Sequence, residues 1–226
     1  MSKKSFRPII AGAAVGVLGV ALLASNASGV EEPKYQVVEK HGNIELRDYA
    51  PTIVAEVRLP GEQYEALGAG FRLVADYIFG NNVSARKVAM TAPVTQQGSE
   101  KIAMTAPVTQ QAEGQEWQVS FIMPAGSTLA TLPKPNNPAV VLREVGSKHV
   151  AVIRFSGWAR EGSLNRNTAK LDAFLSARKL KILSAPMYAY YDPPWTLPFF
   201  RRNEVMVEIA PTVRNEDASA TKAAAN

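Results

Sequence analysis

Two amphipathic helical stretches, each set among short alternating runs, constrain this 226-residue chain more than any other feature. Between residues 62 and 79, Tyr64, Leu67, Phe71, Val74, Ala75, Ile78 and Phe79 recur at intervals of three and four, and Gly80 stops the run. Between residues 163 and 179 the positions are Leu164, Thr168, Leu171, Phe174 and Leu175, with Lys179 and Lys181 suited to a helix C-terminus. The segments around them alternate with the period of a strand. The order is strands, helix, strands, given twice. Two similar halves closing an antiparallel barrel or sheet, with both helices against it, would bury both apolar faces. The fold class expected is therefore α+β, a distorted antiparallel β-barrel of two similar halves with two flanking α-helices.

Residues 35–39 and 44–48 flank Lys40-His41-Gly42-Asn43, which predicts a hairpin with His41 at its tip. Residues 52–59 read as a half-buried strand that Pro60-Gly61 ends. Residues 117–123 read as a strand. Residues 139–145 and 150–155 bracket Gly146-Ser147-Lys148-His149, which predicts a second hairpin with His149 in its turn. Residues 187–192 and 205–209 supply two further strands around a Pro-Pro-Trp-Thr-Leu-Pro loop.

An internal duplication lies between the helices. Residues 87–100 and 101–114 agree at ten of fourteen positions, each copy carrying Met-Thr-Ala-Pro-Val, at 90–94 and 104–108. The unit is too short for a solenoid. Because proline cannot donate to a ladder, Pro93 and Pro107 place each copy at an edge, a bulge or a loop. The copies should differ in role, with the second structural because it leads straight into the 117–123 strand.

Composition removes many functions. With 46% hydrophobic and 20% charged residues, the chain suits one globular domain. It has no cysteine, which excludes disulfides, thiolate catalysis, Cys-ligated zinc and iron–sulfur clusters, and His41 and His149 are its only imidazoles. Lys3, Lys4 and Arg7 supply three of the five net positive charges, so the body is close to neutral, and no nucleic-acid partner is expected. Residues 8–30 carry no charge and end in small residues. Residues 1–29 therefore read as an export signal cut after Ala27, or, uncut, as an inner-membrane anchor that would be the only membrane contact. The domain at 30–210 is placed in the periplasm or otherwise outside the cytoplasm, and 211–226 is read as a disordered tail.

Signatures of the common catalytic sites are missing: G-x-S-x-G, H-E-x-x-H, Walker A and the dinucleotide fingerprint. The densest chemistry lies at Tyr188, Tyr190, Tyr191, Trp195, Phe199 and Phe200 beside Arg201 and Arg202. Flat walls with basic edges suit a large planar ligand bearing carboxylates. They equally suit a core whose arginines pair with Glu204. Met90 and Met104 stand between haem contact and core filler, and Trp158 between site and packing.

The residues resemble the SOUL haem-binding family. The landmarks are Ile-Glu-Leu-Arg-Asp-Tyr-Ala-Pro at 44–51, the two Met-Thr-Ala-Pro-Val copies, Phe-Ile-Met-Pro at 121–124, Val-Ile-Arg-Phe-Ser-Gly at 152–157, Tyr-Asp-Pro-Pro at 191–194 and Arg-Arg-Asn-Glu-Val at 201–205. The resemblance implies a distorted barrel with two helices, related to effector-binding domains of bacterial multidrug-sensing regulators. It also implies haem or another tetrapyrrole as cofactor or ligand, held on an apolar cleft. Where a histidine has been invoked as axial ligand, before the Tyr of Arg-x-Tyr, this chain has Asp48. Where some relatives carry a lysine suited to a propionate, it has Trp195, Thr196 and Leu197.

The function expected is non-enzymatic binding of haem, a tetrapyrrole or another bulky apolar small molecule, without a histidine ligand and with no metal-ligating or catalytic residue. Met104, Tyr190, Trp195, Phe199 and Arg201 would line the site. A competing expectation is a hydrolase or isomerase that uses Glu56 or Glu208 near Tyr190. A third is a structural envelope protein.

Overall fold

The computed structural model describes residues 30–85 and 98–211. The N-terminal segment to residue 29, the tail from 212 and most of the first duplicated copy lie outside the described residues. Strands β1 (Tyr35–His41), β2 (Ile44–Tyr49) and β3 (Thr52–Pro60) precede helix α1 (Gln63–Ile78). Strands β4 (Asn82–Val83), β5 (Val108–Glu113), β6 (Glu116–Ile122), β7 (Lys134–Pro135), β8 (Val141–Val145) and β9 (Lys148–Phe155) lead to α2 (Glu161–Ala177). Strands β10 (Met187–Tyr190) and β11 (Asn203–Glu208) close the chain. Nine strands form one strongly curled antiparallel half-barrel in the order β1-β2-β9-β11-β10-β5-β6-β3-β8, while β4 and β7 pair separately.

Both helices lie on one face of this sheet. Helix α1 packs Val74, Tyr77 and Ile78 onto Ala55, Val57, Val119 and Phe121, and α2 packs Leu164, Leu171 and Leu175 onto Ala151, Ile153, Val205 and Val207. The two cores do not follow the two consecutive halves read from the sequence: Leu46 of β2 joins the α2 core and Val140, next to β8, joins the α1 core, because β2 pairs with β9 and β8 with β3. The stripe that α1 buries is Ala66, Gly70, Val74 and Tyr77, whereas Tyr64 and Phe79, counted into the apolar face above, stay in solvent and Phe71 is only partly covered, its ring 5.3 Å from that of Phe121. The cause is close approach: a Cβ on Gly70 would sit 2.6 Å from the Val119 Cβ, so the helix contacts the sheet through its small residues. Gly80, at φ 122°, takes the chain off the end of α1.

Three expectations are corrected. The 139–155 segment is no hairpin, since β8 pairs with β3 while β9 pairs with β2 and β11. Gly146-Ser147 links β8 to β9, but the apolar run Val150–Ile153, buried on both faces, draws β9 between two other strands. His149 is therefore a strand residue opposite Asp48, not a turn residue. The second duplicated copy supplies β5, an interior strand between β10 and β6, because Pro107 precedes the strand by one residue and no ladder donor is missing. Strand β3 is buried on both faces from Ile53 to Val57, since its far face carries Glu56 bound by neighbouring side chains.

Candidate functional site

The connection from β10 to β11 is a loop stiffened by Pro193, Pro194 and Pro198, with a 3-10 turn at Pro198–Phe200. Arg201 folds back over it. Its Nε donates to the Thr196 carbonyl at 2.8 Å, its Nη2 to the Pro194 carbonyl, and its guanidinium carbon lies 4.3 Å from the centre of the Trp158 ring. The Gly157 N–H donates to the Pro198 carbonyl at 2.8 Å and Asn203 Nδ2 to the Gly157 carbonyl at 3.0 Å, which fastens the 155–160 loop to this one. The result is an apolar tip held in solvent: Trp195 is 82% exposed, Phe200 72%, Phe199 66%, Leu197 55% and Trp158 50%. The rings of Phe199 and Phe200 lie 4.5 Å apart.

Tyr190 ends β10 at the base of this loop, and its hydroxyl donates to Gln110 Oε1 at 3.4 Å. Gln110 Nε2 in turn donates to the Gln63 carbonyl at 2.6 Å. Burial holds the Tyr190 hydroxyl neutral far above its ordinary range. Met104 lies on the segment entering β5, one residue before the Thr105 bridge to Glu31, and is 37% exposed. Tyr190, Trp195, Phe199 and Arg201 thus share one connection, while Met104 belongs to another, joined to it by the Val108 to Tyr190 pairing. Trp158 is the residue the sequence left undecided. Its contact with Arg201 spans forty-three positions, and no local pattern announces it.

The sheet face without helices carries a smaller apolar cluster, Val150, Val152, Ala189 and Met206, and beside it a buried charged group. Glu204, with no solvent exposure, accepts from Arg47 Nη1 at 2.9 Å and Nη2 at 3.0 Å, from Arg202 Nη2 at 2.9 Å and from the Tyr191 hydroxyl at 2.7 Å. Burial opposes its ionisation, but the two arginines outweigh burial and hold the carboxyl below its ordinary value. Arg202 also reaches Glu32 at 2.9 Å. A carboxylate beside a tyrosine is therefore present, but it is Glu204 with Tyr191. Glu56 is bound by Arg143 and Gln118, and Glu208 by Lys148, and both side chains lie on the face opposite Tyr190. That corrects the Glu56 or Glu208 with Tyr190 pairing. A carboxylate locked between two arginines is a poor proton acceptor near neutral pH.

His149 Nδ1 lies 2.5 Å from Asp48 Oδ1, near the start of β9. Phe155, which pairs with Asn203 at the aromatic loop, is six strand residues away, about 20 Å. His41, at the β1–β2 hairpin, bonds Glu39 at 3.1 Å and packs on Phe174. Neither imidazole belongs to the loop. Among the described residues no group of three or more His, Asp or Glu side chains is placed to hold a metal. A separate open cleft of about 480 Å³ lies between residues 31–34, the β2–β3 connection and residues 122–128, and none of the five expected site residues lines it.

The family described as SOUL heme-binding protein matches residues 30–208. No curated protein matches the chain in sequence. Among solved structures, the EcmrR C-terminal domain is similar at 10% identity and TM-score 0.53, covering 75% of this chain and 98% of that one. A hydrolase from Listeria innocua is similar at 12% identity and TM-score 0.50, covering 76% and 94%. At such identities the likeness is one of fold.

Proposed function

Because this chain belongs to the SOUL family of haem-binding proteins, we propose that it binds a haem, an iron-free porphyrin or a similarly broad apolar molecule on the loop tip, without a histidine on the iron. The observation that carries this reading is the tip itself, five apolar side chains kept in solvent by hydrogen bonds that fix the loops beneath them. Trp195 and Phe199 supply stacking area. Arg201 orients the loop through Nε and Nη2, and Nη1 is the atom that would take a carboxylate. These residues fit a flat macrocycle. They do not fit iron coordination, since the imidazoles lie elsewhere and the thioether of Met104 is on another segment.

Titration of the purified protein with haemin and with iron-free protoporphyrin tests this. The two should bind with similar affinity. His41→Ala and His149→Ala should each shift the dissociation constant less than about threefold, under roughly 0.7 kcal/mol, whereas Trp195→Ala should weaken binding about tenfold. A six-coordinate low-spin spectrum that collapses in one histidine variant would overturn the reading. We place the binding outside the cytoplasm, on the strength of the basic start and the uncharged residues 8–30.

A further inference from the structure

We propose that the loop tip is also a docking surface for an anionic lipid bilayer, with Trp195, Leu197, Phe199 and Phe200 entering the interface and Arg160 and Arg201 meeting the headgroups. The tip has the composition of an interfacial anchor, indole and phenyl rings with a leucine, and none of its four apolar side chains is less than 55% exposed. Its rim is cationic: the guanidinium carbons of Arg201 and Arg160 lie 4.3 Å and 5.4 Å from the centre of the Trp158 ring. The acidic neighbours are Asp192, which accepts the Arg202 N–H, Glu32, whose charge Arg202 pairs, and Glu161 in the first turn of α2. Tension between apolar tip and water is relieved by a surface that is apolar inside and negative at its edge.

Chain continuity puts that surface beside the tip. The uncharged residues 8–30 run up to Val30, where the described fold begins, and Glu32 is bonded to Arg202, two positions after Phe200. Val30 is within roughly 7 Å of Glu32 along the chain. Residues 8–30, while they remain uncut and held in a bilayer, would keep the aromatic loop beside that bilayer. Docking needs no bound tetrapyrrole. It would place the proposed binding loop where an apolar ligand partitions.

A Trp117→Phe, Trp158→Phe variant leaves Trp195 as the one indole. We expect vesicles of phosphatidylcholine and phosphatidylglycerol carrying brominated acyl chains to quench its emission by more than half. Phe199→Asp with Phe200→Asp, both at exposed positions, should abolish the quenching while leaving the melting temperature within about two degrees. Emission unaffected by brominated lipid and quenched by acrylamide as in vesicle-free buffer would overturn docking, as would undiminished quenching in the double aspartate variant. No porphyrin is present, so this outcome and that of the haemin titration are independent.

Discussion

Glu204 is the one carboxylate in the described residues with no exposure at all, and its ionised form depends on Arg47 and Arg202. Arg47 is itself 2% exposed, with its guanidinium carbon 4.4 Å from the Tyr35 ring centre, so neither partner can turn to water if the other is lost. Glu204→Gln should therefore destabilise the protein by about 2–3 kcal/mol at pH 7, measured by denaturant unfolding, because it removes the buried charge shared by both arginines and leaves Arg47 with Glu45 and Arg202 with Glu32 as their remaining carboxylates. The sign with pH follows from the lowered folded-state value. Stabilisation by ionised Glu204 is complete above the unfolded value of 4.5 and is lost as pH falls through the folded one. The gap between wild type and Glu204→Gln should hold from pH 7 to about 5 and narrow below 4. A gap that stays constant to pH 3 would mean that the charge is not what the pair contributes.

Strand β5 gives the second duplicated copy a defined place in the sheet. It is laddered to β10 on one side and β6 on the other, so it joins the half that carries α1 to the half that carries α2. Deleting residues 101–114 should abolish cooperative unfolding, because it removes two ladders and divides the sheet. Deleting residues 87–97 should leave the transition in place. That second deletion keeps residues 98–100, which the fold uses: Ser84 donates to the Gly98 carbonyl, and Asn82 binds both the N–H and the carbonyl of Glu100. Circular dichroism melts of the two deletions decide the matter, and the reverse result would assign the structural role to the first copy. Pro107 lies one residue outside the β5 ladder and so interrupts none of its hydrogen bonds.

Across the whole molecule, residues 31–34 act as a strap between the halves. The Glu31 carbonyl accepts from Ala106 N–H and its side chain from Ala125 N–H, while Glu32 binds Arg202 and the Lys34 carbonyl accepts from Ala50 N–H. The fold is thus engaged from residue 31 onward, and a signal peptidase cutting after Ala27 would spare every one of these bonds. We propose that residues 1–29 direct export and are cut after Ala27, so mass spectrometry of the protein recovered from cells expressing the full sequence should find a mature N-terminus at Ser28. An intact Met1 recovered only with membranes would instead assign residues 1–29 to a permanent anchor.

Local pattern was enough for the two helices, the first hairpin, most strand positions and the α+β class, because each depends on the spacing of apolar residues and on turn chemistry within a few positions. The loop at residues 191–202 was also visible, since its prolines and aromatics are contiguous in the chain. Partner choice was not. Gly146-Ser147 says that the chain turns but not which strands flank it afterwards, so the β8 to β3 and β9 to β2 pairings, and with them the setting of His149 against Asp48, were decided by what two buried strand faces could pack against. The same holds for Glu204. Its neighbours Arg47 and Arg202 lie 157 and two positions away, and only folding could show that the distant one completes the pair. Which aromatics end in water is likewise a tertiary outcome: Tyr77 is buried and Tyr64 exposed on one helix, because the close contact of Gly70 with Val119 sets the face that α1 turns inward.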